Sequence, residues 1–184
     1  MLQQENKNIN YTSFISLGIW EVFLENLDVK HWVKEIYNYK NNNPHSIKRS
    51  NQGGYHSEST LHTNPNFYPL VKELNDIHYS IFNTPNINIS RMWINISSYS
   101  HYNTFHLHGD QLDIISGILY LQTPLNCGKV NFVNPLNLNH KLLIEPKEKK
   151  LVLFSEPIPH SVEPNLSQED RISIAYDCKY FKDK

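Results

Sequence analysis

The residue pattern changes in the middle of this chain, and that change limits the possible folds more than any other feature. From Ile87 onward, apolar and polar residues alternate with a period of two, which is typical of half-buried strands. Short segments of this kind recur as far as Tyr176, with turn residues between them. We therefore expect an α+β, mainly β fold with two supporting N-terminal helices, in which the core is a double-stranded β-helix (jelly-roll) or a barrel-like double sheet.

The two helices are predicted from helical spacing of apolar residues before Ile87. Asp28 is a candidate N-cap for a helix over about 29–40, in which apolar side chains recur every three or four positions. A second helix is predicted over about 65–83, with Pro65 near its start. Asn- and Pro-containing segments end both helices.

Length and composition narrow the class of protein. At 184 residues, the chain is expected to form a single domain over 1–184, with helical support at about 12–86 and the jelly-roll core at about 87–180. It has 17 Lys and Arg against 18 Asp and Glu, so nothing in its charge favours nucleic-acid binding. It shows neither a signal peptide nor an apolar run of roughly 20 residues, which predicts a cytoplasmic protein without a membrane partner.

A candidate metal site begins at His108-Gly109-Asp110. On an extended strand, residues i and i+2 point to the same face, so His108 and Asp110 can reach one metal ion from one side. His160 is the candidate third ligand, from a distant strand. Two imidazoles and one carboxylate form the facial ligand set of non-haem Fe(II) sites, which leaves the opposite coordination positions open.

Longer motifs around these residues resemble a known family. The segment from His108 reads HGDQLDIISGILYLQTP, and it is followed by CGKVNFVNP, KLVLFSEPIPHSVEPN and RISIAYD. This order is similar to the second half of the 2-oxoglutarate/Fe(II)-dependent dioxygenases. The likeness is greatest to a group of such oxygenases from phages and marine bacteria, and it extends to the prolyl-hydroxylase-like branch. It covers roughly residues 90–177.

The resemblance implies an enzyme that uses Fe(II), with 2-oxoglutarate as co-substrate and dioxygen. Such an enzyme hydroxylates a substrate, here unidentified, while 2-oxoglutarate is decarboxylated to succinate. Arg171 is the expected anchor for the distal carboxylate, because a guanidinium offers a bidentate fork. Ser173, on the same strand face, could add a hydroxyl donor. Tyr120 matches a tyrosine that contacts the co-substrate carboxylate in prolyl-hydroxylase-like relatives.

His106 competes with His108 for the metal, because His106-Leu107-His108 also has i, i+2 spacing. We favour His108, which pairs with a carboxylate and whose distance from Ser116-Gly117 resembles the family pattern, and we expect His106 to be dispensable. Two other functions stay open. A non-catalytic jelly-roll binding or structural protein has no reason to combine the metal motif with Arg171. A cupin-type metalloenzyme that does not use 2-oxoglutarate would keep the metal ligands without needing Arg171.

Overall fold

Two antiparallel sheets and two helices make up the fold in a computed structural model that describes residues 17–108 and 113–181. The helices are α1 (Val29–Asn42) and α2 (Tyr68–Phe82), and short 3-10 turns at Leu61–Thr63 and Pro65–Phe67 precede α2. The strands are β1 (Ile19–Phe23), β2 (Asn51–Gln52), β3 (Tyr55–His56), β4 (Ile87–Ser97), β5 (Tyr102–His106), β6 (Asp113–Gln122), β7 (Val130–Asn134), β8 (Asn137–Ile144), β9 (Lys150–Ser155), β10 (His160–Val162) and β11 (Arg171–Tyr180).

Local interactions define the start of α1 and the end of α2. The Asp28 carboxylate caps α1 by accepting a hydrogen bond from the backbone N–H of His31 at 3.0 Å. At the C-terminus of α2, Asn83 adopts a left-handed conformation with φ of 51°, which Asn tolerates better than most residues. The predicted helices are thus confirmed, although α1 continues two residues beyond the expected end and α2 is preceded by a 3-10 turn.

The strands form a six-stranded sheet in the order β1-β9-β6-β11-β4-β3 and a five-stranded sheet in the order β2-β5-β10-β7-β8. From β4 to β11, the strands are distributed between the two sheets in the manner of a jelly roll, which confirms the predicted fold class. The helical region also contributes strands, because β1 pairs with β9 and the two-residue strands β2 and β3 pair with β5 and β4.

Successive side chains of β4 point alternately to the helix-facing side of the large sheet and to its inner side. Met92, Ile94 and Ile96 are buried in the same core as the apolar residues of α1 and α2, including Trp32 and Leu70. A second buried cluster fills part of the space between the sheets, with Phe132 of β7 against Phe154 of β9 at a ring separation of 4.9 Å. The remaining space between the sheets is a cavity.

Neither of the two helices in the described part of the chain has the length and apolar character needed to cross a membrane.

Candidate active site

The cavity between the two sheets has a volume of about 540 Å³ and is lined by residues from both. The large sheet contributes the inward faces of β4, β6 and β11, and the small sheet contributes β5 and β10. Along β11, Arg171, Ser173, Ala175 and Asp177 all line it, as expected for alternate residues of one strand. The fold therefore brings side chains that are far apart in sequence to one cavity.

Three histidines that line this cavity lie close together. His106 is the last residue of β5, and its Cα is paired with that of His160 on β10. His108 follows two residues after β5, and its ring centroid lies 5.0 Å from that of His160 and 5.5 Å from that of His106. The potential ligand atoms of the three lie within 4.8 Å of one another, a spacing that allows one metal ion to contact all three.

Hydrogen bonds fix the same tautomer on all three imidazoles. The Nδ1 atoms of His106 and His160 lie 2.8 and 3.2 Å from the carbonyl oxygens of Thr104 and Ile158. The Nδ1 of His108 lies 2.6 Å from a carboxylate oxygen of Asp177. Carbonyls and carboxylates only accept, so each Nδ1 carries the hydrogen, and Nε2 is the nitrogen that has a free lone pair for a metal in the neutral ring.

Burial favours the neutral form of His160 and of His106. It lowers the pKa of His160 well below its usual range, and the neighbouring His106 and His108 lower it further. Burial also lowers the pKa of His106. A neutral imidazole is the form that binds a metal, so these rings do not need to lose a proton at pH 7 in order to act as ligands.

Arg171 is a second notable feature of the cavity, since its side chain is cationic yet the residue is only 4% exposed. Its Nη1 donates to the carbonyl oxygens of Cys127, Gly128 and Glu163. Among residues 17–108 and 113–181, those three carbonyls are its hydrogen-bond partners, and no carboxylate forms an ion pair with it. A buried cation held by neutral oxygens suits an anionic ligand that enters the cavity.

Tyr120 and Ser173 lie close to Arg171 in the structure. Both line the cavity, and their Cα atoms are paired across β6 and β11. Burial raises the pKa of the Tyr120 hydroxyl, so that this group keeps its proton and can donate a hydrogen bond. The three residues expected to hold the co-substrate are therefore gathered in the cavity that also contains the histidines.

The predicted metal ligands are only partly covered by the described residues. His108 and His160 meet, as the sequence suggests, and His106 joins them. Asp110 lies outside the described residues, so its place in the ligand set stays a prediction, and the expectation that His106 is dispensable stays one as well.

Asp177 was missed by the sequence reasoning. Its carboxylate contacts His108 across 69 positions of sequence, a pairing with no local signal. The available clue was its place on β11, an even number of residues after Arg171 and therefore on the same strand face.

Comparison with known proteins supports the fold. No family model and no curated protein matches this chain. Among solved structures, a prolyl-4-hydroxylase from Pseudomonas putida matches with a TM-score of 0.70 at 13% identity, covering 90% of this chain and 94% of its own. A viral collagen prolyl hydroxylase from Paramecium bursaria Chlorella virus-1, in its 2-oxoglutarate complex, matches with a TM-score of 0.63 at 14% identity, covering 89% and 96%.

A third similar structure is that of a non-haem α-ketoglutarate-dependent epimerase, SnoN, from nogalamycin biosynthesis. It matches with a TM-score of 0.73 at 11% identity, covering 89% of this chain and 78% of its own. The chain thus has the fold of the 2-oxoglutarate/Fe(II) oxygenases. At such low identity, the comparisons define the fold, and the activity has to be argued from the site.

Proposed function

We propose that this chain is a non-haem Fe(II)/2-oxoglutarate-dependent oxygenase. In the proposed reaction, an unidentified substrate is hydroxylated while 2-oxoglutarate is decarboxylated to succinate. The observation that carries the proposal is the pairing of an imidazole cluster with the buried Arg171 in one cavity of about 540 Å³. A metal site alone, or a buried arginine alone, would fit several other functions.

The histidine cluster fits iron by the chemistry of its donors. Neutral imidazoles with Nε2 available are suitable ligands for Fe(II). His108 and His160 are the two ligands that every version of the proposal shares. When bound, the iron supplies the redox chemistry that activates dioxygen, and the protein supplies position and charge.

Sequence and structure give different candidates for the third ligand. Asp110 is the residue that the sequence predicts. His106 is the alternative, and it is supported by its place in the cluster and by its Nδ1 hydrogen bond to Thr104, which presents Nε2 as a ligand atom. The Ser50 hydroxyl, 3.3 Å from that Nε2, would turn away if a metal took its place.

The co-substrate is proposed to lie between the histidines and Arg171. The five-carbon diacid has a carboxylate at each end, and the guanidinium is suited to the end remote from the metal. Since Nη1 is held by backbone carbonyls, the other N–H groups of Arg171 are the ones proposed to donate to that carboxylate. The hydroxyls of Tyr120 and Ser173 would add neutral donors on the same side.

Metal titration of single variants tests the ligand set. We expect His108→Ala and His160→Ala to abolish tight Fe(II) binding in anaerobic calorimetry, while His140→Ala, which removes an exposed histidine of β8, leaves it unchanged. Loss in Asp110→Ala with retention in His106→Ala would establish the sequence-predicted ligand, and the reverse pattern would establish His106. Unchanged binding in both His108→Ala and His160→Ala would contradict the proposal.

Adding 2-oxoglutarate to the iron-loaded parent separates the alternative functions. Iron binding without any response to 2-oxoglutarate would favour a cupin-type metalloenzyme. Failure to bind either would favour a non-catalytic jelly-roll binding or structural protein.

A further inference from the structure

Asp177 stands out among the residues of the cavity because its carboxylate is almost completely enclosed, at 1% exposure. Of the described residues that line the cavity, it is the acidic one. A buried carboxylate is costly unless hydrogen bonds and an opposite charge compensate it. The partners of Asp177 therefore indicate why a charge is kept at this position.

The two oxygens of Asp177 have different partners. One accepts from Nη2 of Arg91 at 2.9 Å, which balances its charge. The other accepts from the Ser116 hydroxyl at 2.7 Å and from Nδ1 of His108 at 2.6 Å. The carboxylate thus joins an arginine on β4 to the histidine that the proposed function places on the metal.

His108 is thereby distinguished from the other two histidines. The rings of His106 and His160 donate Nδ1–H to neutral backbone carbonyls, whereas His108 donates to a charged carboxylate. A carboxylate partner orients an imidazole, fixes its tautomer and makes the opposite nitrogen a stronger ligand.

We propose that Asp177 is a positioning residue of the metal site: it holds His108 with Nε2 as the ligating atom and places a negative charge one residue away from the metal. This inference rests on the proposed function only in requiring a metal at the histidine cluster. It is independent of whether Asp110 or His106 is the third ligand.

A purely structural role for Asp177 makes a different prediction. If the carboxylate served only to neutralise Arg91 and tie β4 to β11, then removing either member of that ion pair would have the same effect. If it serves His108, removing Arg91 leaves the contact with the histidine in place. Arg91→Gln and Asp177→Asn are therefore the discriminating variants.

The experiment measures the affinity of Co(II) by calorimetry and its visible absorption spectrum in the parent and the variants. Thermal unfolding of the metal-free proteins is followed in parallel. Asp76→Asn controls for the loss of an acidic charge, because Asp76 forms an exposed ion pair with Lys72 on α2. The double variant Asp177→Asn/Arg91→Gln removes both members of the ion pair together, should the single Asn variant fold poorly.

We expect Asp177→Asn and the double variant to bind Co(II) about 10- to 100-fold more weakly than the parent, with an altered visible spectrum. Arg91→Gln and Asp76→Asn should bind within about threefold of the parent, even if Arg91→Gln lowers the unfolding temperature. Parent-like affinity and spectrum in the double variant would overturn the role of Asp177 and leave the proposed function intact. Equal weakening in Arg91→Gln and Asp177→Asn would likewise overturn it, in favour of the structural role. A parent that binds no Co(II) would overturn both.

Discussion

Replacing Arg171 by Ala is expected to weaken 2-oxoglutarate binding by roughly thirty- to several-thousand-fold while iron binding is kept. The guanidinium is buried, and its partners within the described residues are backbone carbonyls, so a bound carboxylate would provide its compensating charge. Losing one member of such a buried charge pair typically costs about 2–5 kcal/mol. At about 1.4 kcal/mol per tenfold in affinity, this cost gives the stated range.

The same substitution also has a cost in folding that must be measured separately. Three carbonyl oxygens, those of Cys127, Gly128 and Glu163, lose their donor when the guanidinium is removed. The Cys127 carbonyl is the buried one of the three, and a buried polar group left unpaired costs about 1–3 kcal/mol, so Arg171→Ala is expected to unfold at lower denaturant concentration. Arg171→Lys keeps a charge and should recover part of the co-substrate affinity, since an ammonium cannot form the planar fork.

The assay is an anaerobic 2-oxoglutarate titration of the parent and both variants with Fe(II) saturating. Arg49→Ala is the matched control, because Arg49 is an exposed arginine at the edge of the same cavity and its loss changes the net charge equally. Equal affinities in the parent, Arg171→Ala and Arg171→Lys would refute the reasoning. They would also remove the main reason to prefer a 2-oxoglutarate oxygenase over a cupin-type metalloenzyme.

Three further outcomes are expected. Tyr120→Phe should weaken 2-oxoglutarate binding by about two- to tenfold without affecting iron binding, because one neutral hydrogen bond contributes about 0.5–1.5 kcal/mol. Unchanged affinity would place Tyr120 in the core alone. The iron-loaded parent should form succinate slowly without a primary substrate, in a reaction that needs both iron and oxygen. Succinate is assayed by chromatography, and the complete absence of succinate would count against the proposed activity. Burial lowers the pKa of His78 to about 4, so the folded state favours its neutral form. The contribution of His78 to the free energy of unfolding is therefore complete above the ordinary pKa of 6.5. It declines, by up to about 3 kcal/mol, as the pH falls towards 4. Urea unfolding of the parent and His78→Gln should show a stability difference that shrinks over this range, and a constant difference would contradict the assignment.

The sequence predicted those elements whose determinants are local. Asp28 and the apolar spacing after it were sufficient for α1, and the period-two alternation was sufficient for β4. β5 was not predicted, because none of its residues is buried and no alternation marks it. The extent of β8 was not predictable, because nearly all of its side chains are exposed and no burial pattern marks an edge strand of this kind. β2 and β3 have two residues each, too few to show any period.

The candidate site was predictable where a short motif carries the chemistry, and not where distant strands meet. The spacing of the motif indicated His108, and the position after His160 indicated Arg171; both line the cavity, and their roles stay predictions. The contact of Asp177 with His108 depends on how β11 lies against β6 and the end of β5, which no local pattern encodes. The pairing of His106 with His160 likewise arises from the register of β5 against β10.

The central claim is that one cavity binds Fe(II) and 2-oxoglutarate together, and one anaerobic titration followed by visible absorption tests it most directly. If Fe(II) and 2-oxoglutarate are added to the parent protein, the account predicts a metal-to-ligand charge-transfer band that requires both and that is absent from His160→Ala. Absence of this band in a parent protein that calorimetry shows to be saturated with iron would contradict the account.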